Sequence, residues 1–318
     1  MKLIIQVPCF NEEDSIPVTF RNLPDKIVGI DTIEYLLIDD GSTDRTSEVA
    51  KKLGFHHIVN ILKNKGLANA FKAGIDECLK LGADIIVNTD ADNQYDGNCI
   101  KDIIYPILNG RADAVIGQRP INEIKEFSFL KKKMEKLGSW VVGLVSGIKI
   151  SDAPSGFRAF SREAALKINI ISKYTYTLEN IIQMGRKNLT VISVPVKVNK
   201  NTRNSRLVKN NFNYIFRSLI TIIRIFAIYK PLRFFAMLSL LPFIACIVLF
   251  VRFIIFYAMG FGNLLIKSLI TGGVLLIFSM IIVTIGLLSD IISTNRFLIE
   301  DILYKLKKLE YVKNYKNE

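Results

Sequence analysis

Apolar residues in the first half of the chain fall into short β-branched runs separated by stretches of helical period. Residues 3–7, 34–38, 58–61, 84–88 and 114–116 read as strands. Between two of them, 66–81 places Leu67, Ala70, Phe71, Gly74, Ile75, Cys78 and Leu79 at helical spacing. Strands that are apolar throughout and separated by helices predict a mainly parallel sheet covered on both faces. The second half changes character. Residues 232–257 carry only the charges Arg233 and Arg252, and 268–289 carry none, so each run approaches the ~20 apolar residues that cross a bilayer. Just before them, 211–229 places Asn213, Arg217, Thr221 and Arg224 at helical spacing among Phe, Ile, Leu and Tyr. This reads as an interfacial helix broken at Pro231, with a buried soluble helix as the alternative.

A parallel sheet binds ligands beyond the carboxyl ends of its strands. Reading those ends in order gives Pro8-Cys9-Phe10-Asn11-Glu12-Glu13, then Asp39-Asp40-Gly41-Ser42-Thr43-Asp44, then Thr89-Asp90-Ala91-Asp92-Asn93-Gln94. Each cluster alone is ordinary turn and capping chemistry, with Thr43 or Asp44 capping a helix near Arg45 and Gly41 turning the chain. Three at one edge predict a site. In extended backbone, Asp90, Asp92 and Gln94 point the same way, which offers hard oxygen ligands to Mg²⁺ or Mn²⁺ and leaves positions for diphosphate oxygens. Asp39 and Asp40 would repel Asp90 and Asp92 around one ion, so they are assigned to the donor's base and ribose. Turn duty stays open for one of them.

Charge and composition narrow the classes. The 318 residues carry a net charge of +13 and are 50% hydrophobic. No Asp or Glu occurs between Asn180 and Ser289, while Arg186, Lys187, Lys197, Lys200, Arg203, Arg206, Lys209, Arg217, Arg224, Lys230 and Arg233 precede or open the first apolar run. A basic collar beside membrane helices points to an anionic membrane surface rather than nucleic acid, and places the main domain and both termini on the cytoplasmic side. The first residues lack a signal-peptide pattern. Cys9, Cys78, Cys99 and Cys246 have no ligand or paired spacing, which fits a reducing compartment. His56 and His57, being adjacent, read as strand-end residues rather than a metal pair. Arg252 either marks a lipid path or snorkels. Trp140, Phe127 and Phe129 read as core or membrane-facing.

Taken together, Val7-Pro8-Cys9-Phe10-Asn11-Glu12-Glu13, Asp39-Asp40-Gly41-Ser42-Thr43-Asp44-Arg45-Thr46, Lys65-Gly66-Leu67-Ala68-Asn69-Ala70, Asp90-Ala91-Asp92-Asn93-Gln94 and Ser155-Gly156-Phe157-Arg158 resemble the ordered motifs of glycosyltransferase family 2. Within that family they are similar to the dolichyl-phosphate sugar synthase branch, including its membrane-anchored polyprenyl-phosphate glycosyltransferases. The resemblance implies an α/β GT-A nucleotide-sugar-binding fold over 1–205, a juxtamembrane region over 206–231, a two-helix transmembrane hairpin over 232–292 and a basic tail over 293–318. It also implies nucleotide-sugar contacts from Pro8, Asn11, Glu12, Asp39, Asp40, Lys65 and Asp90, and a metal held by Asp90, Asp92 and Gln94. Arg119 falls near the phosphates, and Ser155 and Arg158 in the acceptor-side loop. Arg203-Asn204-Ser205-Arg206 lacks the family's usual glycine, with Arg206 matching the phosphate-binding residue. Lys131 and Lys132 are assigned either to acceptor phosphate or to a solvated stripe. The catalytic set is Asp92, Arg119 and Arg206.

The implied reaction is inverting transfer of one sugar from a nucleotide diphosphate sugar to dolichyl or undecaprenyl phosphate. UDP-glucose or UDP-N-acetylglucosamine is preferred over GDP-mannose, and a homo-oligomer is left open. An anionic phosphate acceptor needs no general base, whereas an alcohol does, and Glu179 or Asp152 would then fill that role. Glu179 otherwise faces solvent and Asp152 caps a turn. Gln183-Met184-Gly185-Arg186-Lys187 lacks the tryptophan of processive synthases. Transfer to diacylglycerol and a non-catalytic membrane scaffold are the alternatives.

Overall fold

The computed structural model describes residues 1–121, 129–170, 176–199, 220–221, 223–260 and 266–315, with 129–131 and 312–315 described by backbone alone. Met1–Leu219 with Glu300–Glu318 forms one compact unit and Ile220–Ile299 a second.

The first unit is built on a seven-stranded sheet of order β3-β2-β1-β4-β6-β5-β7. Its strands are β1 (Lys2–Cys9), β2 (Thr32–Asp39), β3 (His57–Asn60), β4 (Ile85–Asn88), β5 (Ala114–Gln118), β6 (Arg158–Ser161) and β7 (Val191–Pro195). The five strands expected from the sequence are all present. β6 runs antiparallel to both β4 and β5, and the other neighbouring pairs are parallel. The helices are α1 (Ile16–Arg21), α2 (Thr46–Leu53), α3 (Leu67–Lys80), α4 (Ile100–Leu108), α5 (Phe129–Ser146), α6 (Arg162–Lys167) and α7 (Thr177–Arg186). Leu3, Ile5 and Val7 of β1 pack with Ile16 of α1 and Ile100, Ile103 and Ile104 of α4. The opposite face meets α3, where Gly74 lets the helix approach: a Cβ there would lie 2.3 Å from Gln6 Oε1 and 2.8 Å from Ile38 Cδ1. Burying each large aliphatic side chain of these layers contributes roughly 1.5–3 kcal/mol.

The second unit contains α8 (Pro231–Ala258) and most of α9 (Ile266–Tyr315), two helices long and apolar enough to cross a membrane. Pro231 opens α8, where a missing N–H is harmless. Ser279 Oγ donates to Ser239 O at 3.1 Å, and a Cβ on Gly286 would come within 2.8 Å of Phe235 Cβ, the small-residue contact that draws apolar helices together. Arg252 lies 6.0 Å from the centroid of the Phe256 ring. The expected interfacial helix lies largely outside the described residues, although 223–229 is helical.

The basic stretch at the end of the chain is helical in its described part. α9 continues to Tyr315, and from Glu300 onward it belongs to the first unit. Lys307 Nζ donates to Asp76 of α3 at 2.6 Å, Tyr304 Oη donates to Glu163 of α6 at 2.6 Å, and Glu300 pairs with Lys187 at 3.7 Å with both side chains buried. Tyr304 and Tyr311 form a docking face with those lysines; Tyr311 is buried.

Candidate active site

Register brings the three acidic clusters together. Gln6 of β1 lies beside Leu36 of β2 and Asn88 of β4, and Cys9 beside Asp39, so the β1, β2 and β4 ends emerge side by side. Pro8 is buried in β1.

The first two clusters interlock. Asn11, at φ 54°, accepts at Oδ1 from Thr43 N (2.8 Å), while its own N–H donates to Ser42 Oγ (2.9 Å). Glu12 N donates to Thr46 Oγ1 at 2.8 Å, and the Glu12 carboxylate accepts from Ser15. Asp39 accepts from Ser42 N at 2.8 Å and from Ser47 Oγ. Both Asp40 oxygens take backbone N–H groups, from Lys65 at 2.9 Å and Gly66 at 2.8 Å, which fixes the loop entering α3. The Lys65 side chain is exposed. Gly41, at φ 74°, is required there because a Cβ would meet Asn64 N at 2.7 Å. Asp44 accepts from Thr46 N at 3.0 Å at the start of α2. Burial works against its ionisation, but hydrogen bonds from Thr46 and Glu13 outweigh this and hold the carboxyl below its ordinary range.

The third cluster is different. Asp92 Oδ1 accepts from Gln94 N at 3.1 Å, with Asn93 at φ 55° turning the loop. Asn199 pins that loop, its N–H donating to Gln94 O at 2.9 Å and its Nδ2 to Asn93 O at 3.0 Å. The Asp90 carboxyl is pushed up to about 7, first by burial and then by the charge of Asp92, with Arg119 and Arg158 pulling it back. Two carboxylates of which one is costly to ionise suit a divalent cation. Among the described residues no group of three or more His, Cys, Asp or Glu forms a closed metal cage. Asp90, Asp92 and the half-buried Gln94 are the oxygen donors present at this strand end, a set that fits a hard divalent cation.

The basic residues depart most from expectation. Arg119 forms a two-pronged buried pair with Asp152, Nε to Oδ2 and Nη2 to Oδ1 at 2.8 Å each, and Glu135 lies 3.7 Å from Nη2. Burial opposes the Arg119 charge; Tyr95, Asp152 and Glu135 outweigh it and raise the guanidinium above its ordinary value. Asp152 is thereby engaged in an ion pair, not simply a turn cap. Arg158 is fully buried at the start of β6 and donates to the carbonyls of Ser155 (2.8 Å), Thr177 (2.8 Å) and Ala153 (2.7 Å). Burial pulls its pKa down to about 10. The guanidinium expected at the acceptor phosphate thus braces the 153–155 segment against the start of α7, and Ser155 is buried with it. Glu179, expected to face solvent, is buried on α7. Lys132 is half-buried on α5, while the Lys131 side chain and all of Arg206 lie outside the described residues. Trp140 is 63% exposed, so it is not core. His57 bonds Glu34 at 2.8 Å, and His56 Nδ1 accepts from Tyr35 N at 3.1 Å, as expected of strand-end residues. The four cysteines are free and buried.

Sequence reading missed Tyr95 and Tyr176, buried residues near Asp90, and gave Asn88 no role of its own. The signal available was an Asn closing the apolar run Ile85-Ile86-Val87.

A family model described as glycosyl transferase family 2 matches residues 4–168. A UDP-N-acetylglucosamine–dolichyl-phosphate N-acetylglucosaminyltransferase of Methanococcus voltae is 33% identical over 213 residues, covering 60% of this chain and 83% of that protein. A dodecaprenyl-phosphate galacturonate synthase of Rhizobium johnstonii is 25% identical over 316 residues, 93% of this chain and 89% of that one. Among solved structures, glucosyl-3-phosphoglycerate synthase from Mycobacterium tuberculosis, in complex with Mn²⁺ and UDP-glucose, aligns with a TM-score of 0.53 at 19% identity. That alignment covers 70% of this chain and 77% of that one.

Proposed function

The chain belongs to glycosyl transferase family 2, and from that membership we propose that it transfers one sugar, with inversion, from a nucleotide diphosphate sugar to a polyprenyl phosphate. The acceptor phosphate oxygen attacks the anomeric carbon, the bond from that carbon to the diphosphate oxygen breaks, and the nucleoside diphosphate leaves. Mg²⁺ or Mn²⁺ bound at Asp90, Asp92 and Gln94 would neutralise charge building on the leaving diphosphate. The observation that carries the reading is the pair Asp90 and Asp92 at the end of β4, set beside the β1 and β2 ends in a chain of this family.

The structure shapes the roles proposed for the other residues. Pro8, Glu12 and Asp39 line the nucleotide side, while Asn11, Asp40 and Lys65 act by holding its loops. Arg119, held in place by Asp152, favours the ionised form of Asp90. The acceptor phosphate is assigned to Arg206, with Lys131 and Lys132 as further cations. An alcohol acceptor would need an accessible base; of the two candidates Asp152 is held in its ion pair and Glu179 is buried on α7, which favours an acceptor that arrives as an anion. The Methanococcus voltae relative supports a UDP-N-acetylhexosamine or UDP-hexose donor ahead of GDP-mannose. The apolar helices and basic collar support an integral membrane protein acting at the cytoplasmic leaflet.

The test is incubation of detergent-purified protein with Mn²⁺, polyprenyl phosphate and a panel of radiolabelled nucleotide sugars, followed by organic extraction. Label entering the lipid phase from one donor, and blocked by chelator, is the expected result. No label from any donor, with folded protein, rules the reading out.

A further inference from the structure

The inward side of Asp90 rests on Gly156, with no room for a side chain between them. A Cβ built on Gly156 would lie 2.9 Å from Asp90 Oδ1, 3.0 Å from Asp90 Oδ2 and 3.0 Å from Tyr176 Oη, tighter than packed carbon normally comes to oxygen. The glycine is itself held at both polar atoms. Its N–H donates to Tyr95 Oη at 3.2 Å, and its carbonyl accepts from Asn88 Nδ2 at 2.8 Å. Asn88 Nδ2 also donates to Tyr176 Oη at 3.1 Å, while Asn88 Oδ1 accepts from Gln6 Nε2 at 2.8 Å.

The same residues are wedged from outside the polar chain. Tyr176 stacks on Phe71 of α3 with ring centroids 3.9 Å apart and planes at 11°, and Tyr95 stacks on Phe157 at 4.9 Å and 14°. Gln6, Asn88 and Tyr176 are fully buried and Tyr95 is 4% exposed. A polar column therefore runs from the centre of β1, through β4, to the glycine under Asp90. Apolar residues would fill this space without the desolvation that each buried amide and hydroxyl carries, so the column asks for a purpose other than stability.

We propose that this column is the positioning device for Asp90, with Gly156 as its platform and Asn88 and Tyr176 as the groups that fix the platform's height. The inference rests on the reading of Asp90 as a metal ligand. Neither Gly156 nor Tyr176 is a catalytic residue here, because each acts through Asp90. A side chain at 156 lifts the carboxylate away from Asp92, and removal of the Tyr176 hydroxyl leaves Asn88 free to shift the glycine.

The experiment measures Mn²⁺ binding to the full chain by electron paramagnetic resonance in the presence of UDP, without turnover, alongside the thermal midpoint of each variant. Gly156→Ala is expected to weaken Mn²⁺ binding at least tenfold with a midpoint close to that of the parent. Binding within tenfold of the parent in folded Gly156→Ala overturns the inference. Should Gly156→Ala not fold, Tyr176→Phe decides, since it keeps the stack on Phe71. A loss of at least threefold in Mn²⁺ binding supports the platform, and a smaller loss overturns it. A parent protein that binds no Mn²⁺ with UDP overturns the metal reading and this inference with it, whereas parent binding with unaffected variants removes the inference alone.

Discussion

The placement of Asp90 and Asp92 just past the end of β4 was legible from sequence, because they follow an unbroken apolar run. The arginines were not. Arg119 meets Asp152, 33 positions on, and Arg158 turns its guanidinium onto three carbonyls, so neighbours that only folding supplies decide what each cation does. Asp92→Asn should abolish turnover while expression and membrane insertion remain intact, and substantial residual activity in the lipid-extraction assay would contradict its role at the metal. Asp152→Asn removes the two-pronged partner of the buried Arg119 charge and leaves Glu135 at 3.7 Å as a remaining carboxylate, which costs on the order of 3 kcal/mol. A clear drop in thermal midpoint in detergent is expected, and an unchanged midpoint would contradict the pairing. Asp44 carries a pH prediction. Its carboxyl is depressed in the fold, so its contribution is present above the unfolded value of about 3.9 and is lost as pH falls through the folded value. Asp44→Ala should therefore lower the midpoint at pH 7 by the equivalent of about 1 kcal/mol. The gap from the parent should close in acid; a gap that persists there would contradict the assignment.

At the scale of elements, the strands that were missed share a cause. β6 opens with a buried arginine, and its four residues pair antiparallel between β4 and β5, so its polarity reads as loop. β7 is a half-buried edge strand that ends at Pro195, where the missing N–H costs no ladder bond. The centre of the sheet was legible because β1, β4 and the second half of β2 are buried nearly throughout and read as near-continuous apolar runs. The contacts of the end of α9 were not legible because its lysines meet Asp76 and Glu163, which lie far away in sequence. If that docking holds, Lys307→Glu should lower the thermal midpoint, and adding Asp76→Lys should recover most of the loss. Additive losses in the double variant would contradict the contact.

At the scale of the whole molecule, a family 2 domain and a pair of apolar helices occur in one chain, and the Rhizobium johnstonii relative aligns with nearly all of it. The combination has a physical rationale if a soluble anionic donor must meet a lipid-borne anionic acceptor, because neither substrate can enter the other's phase. Both halves of this pairing were visible in the sequence, as two long apolar runs and as acidic clusters at the strand ends. The sugar stayed illegible because loops, not periodic elements, shape its pocket. The measurement that bears most directly on the account compares initial rates from one nucleotide sugar to polyprenyl phosphate and to diacylglycerol in the same detergent, with Mn²⁺ and with chelator. Metal-dependent transfer to the phosphate alone, giving a lipid product cleaved by mild acid, is the predicted result. Equal transfer to diacylglycerol, or a rate that chelator leaves unchanged, would contradict it.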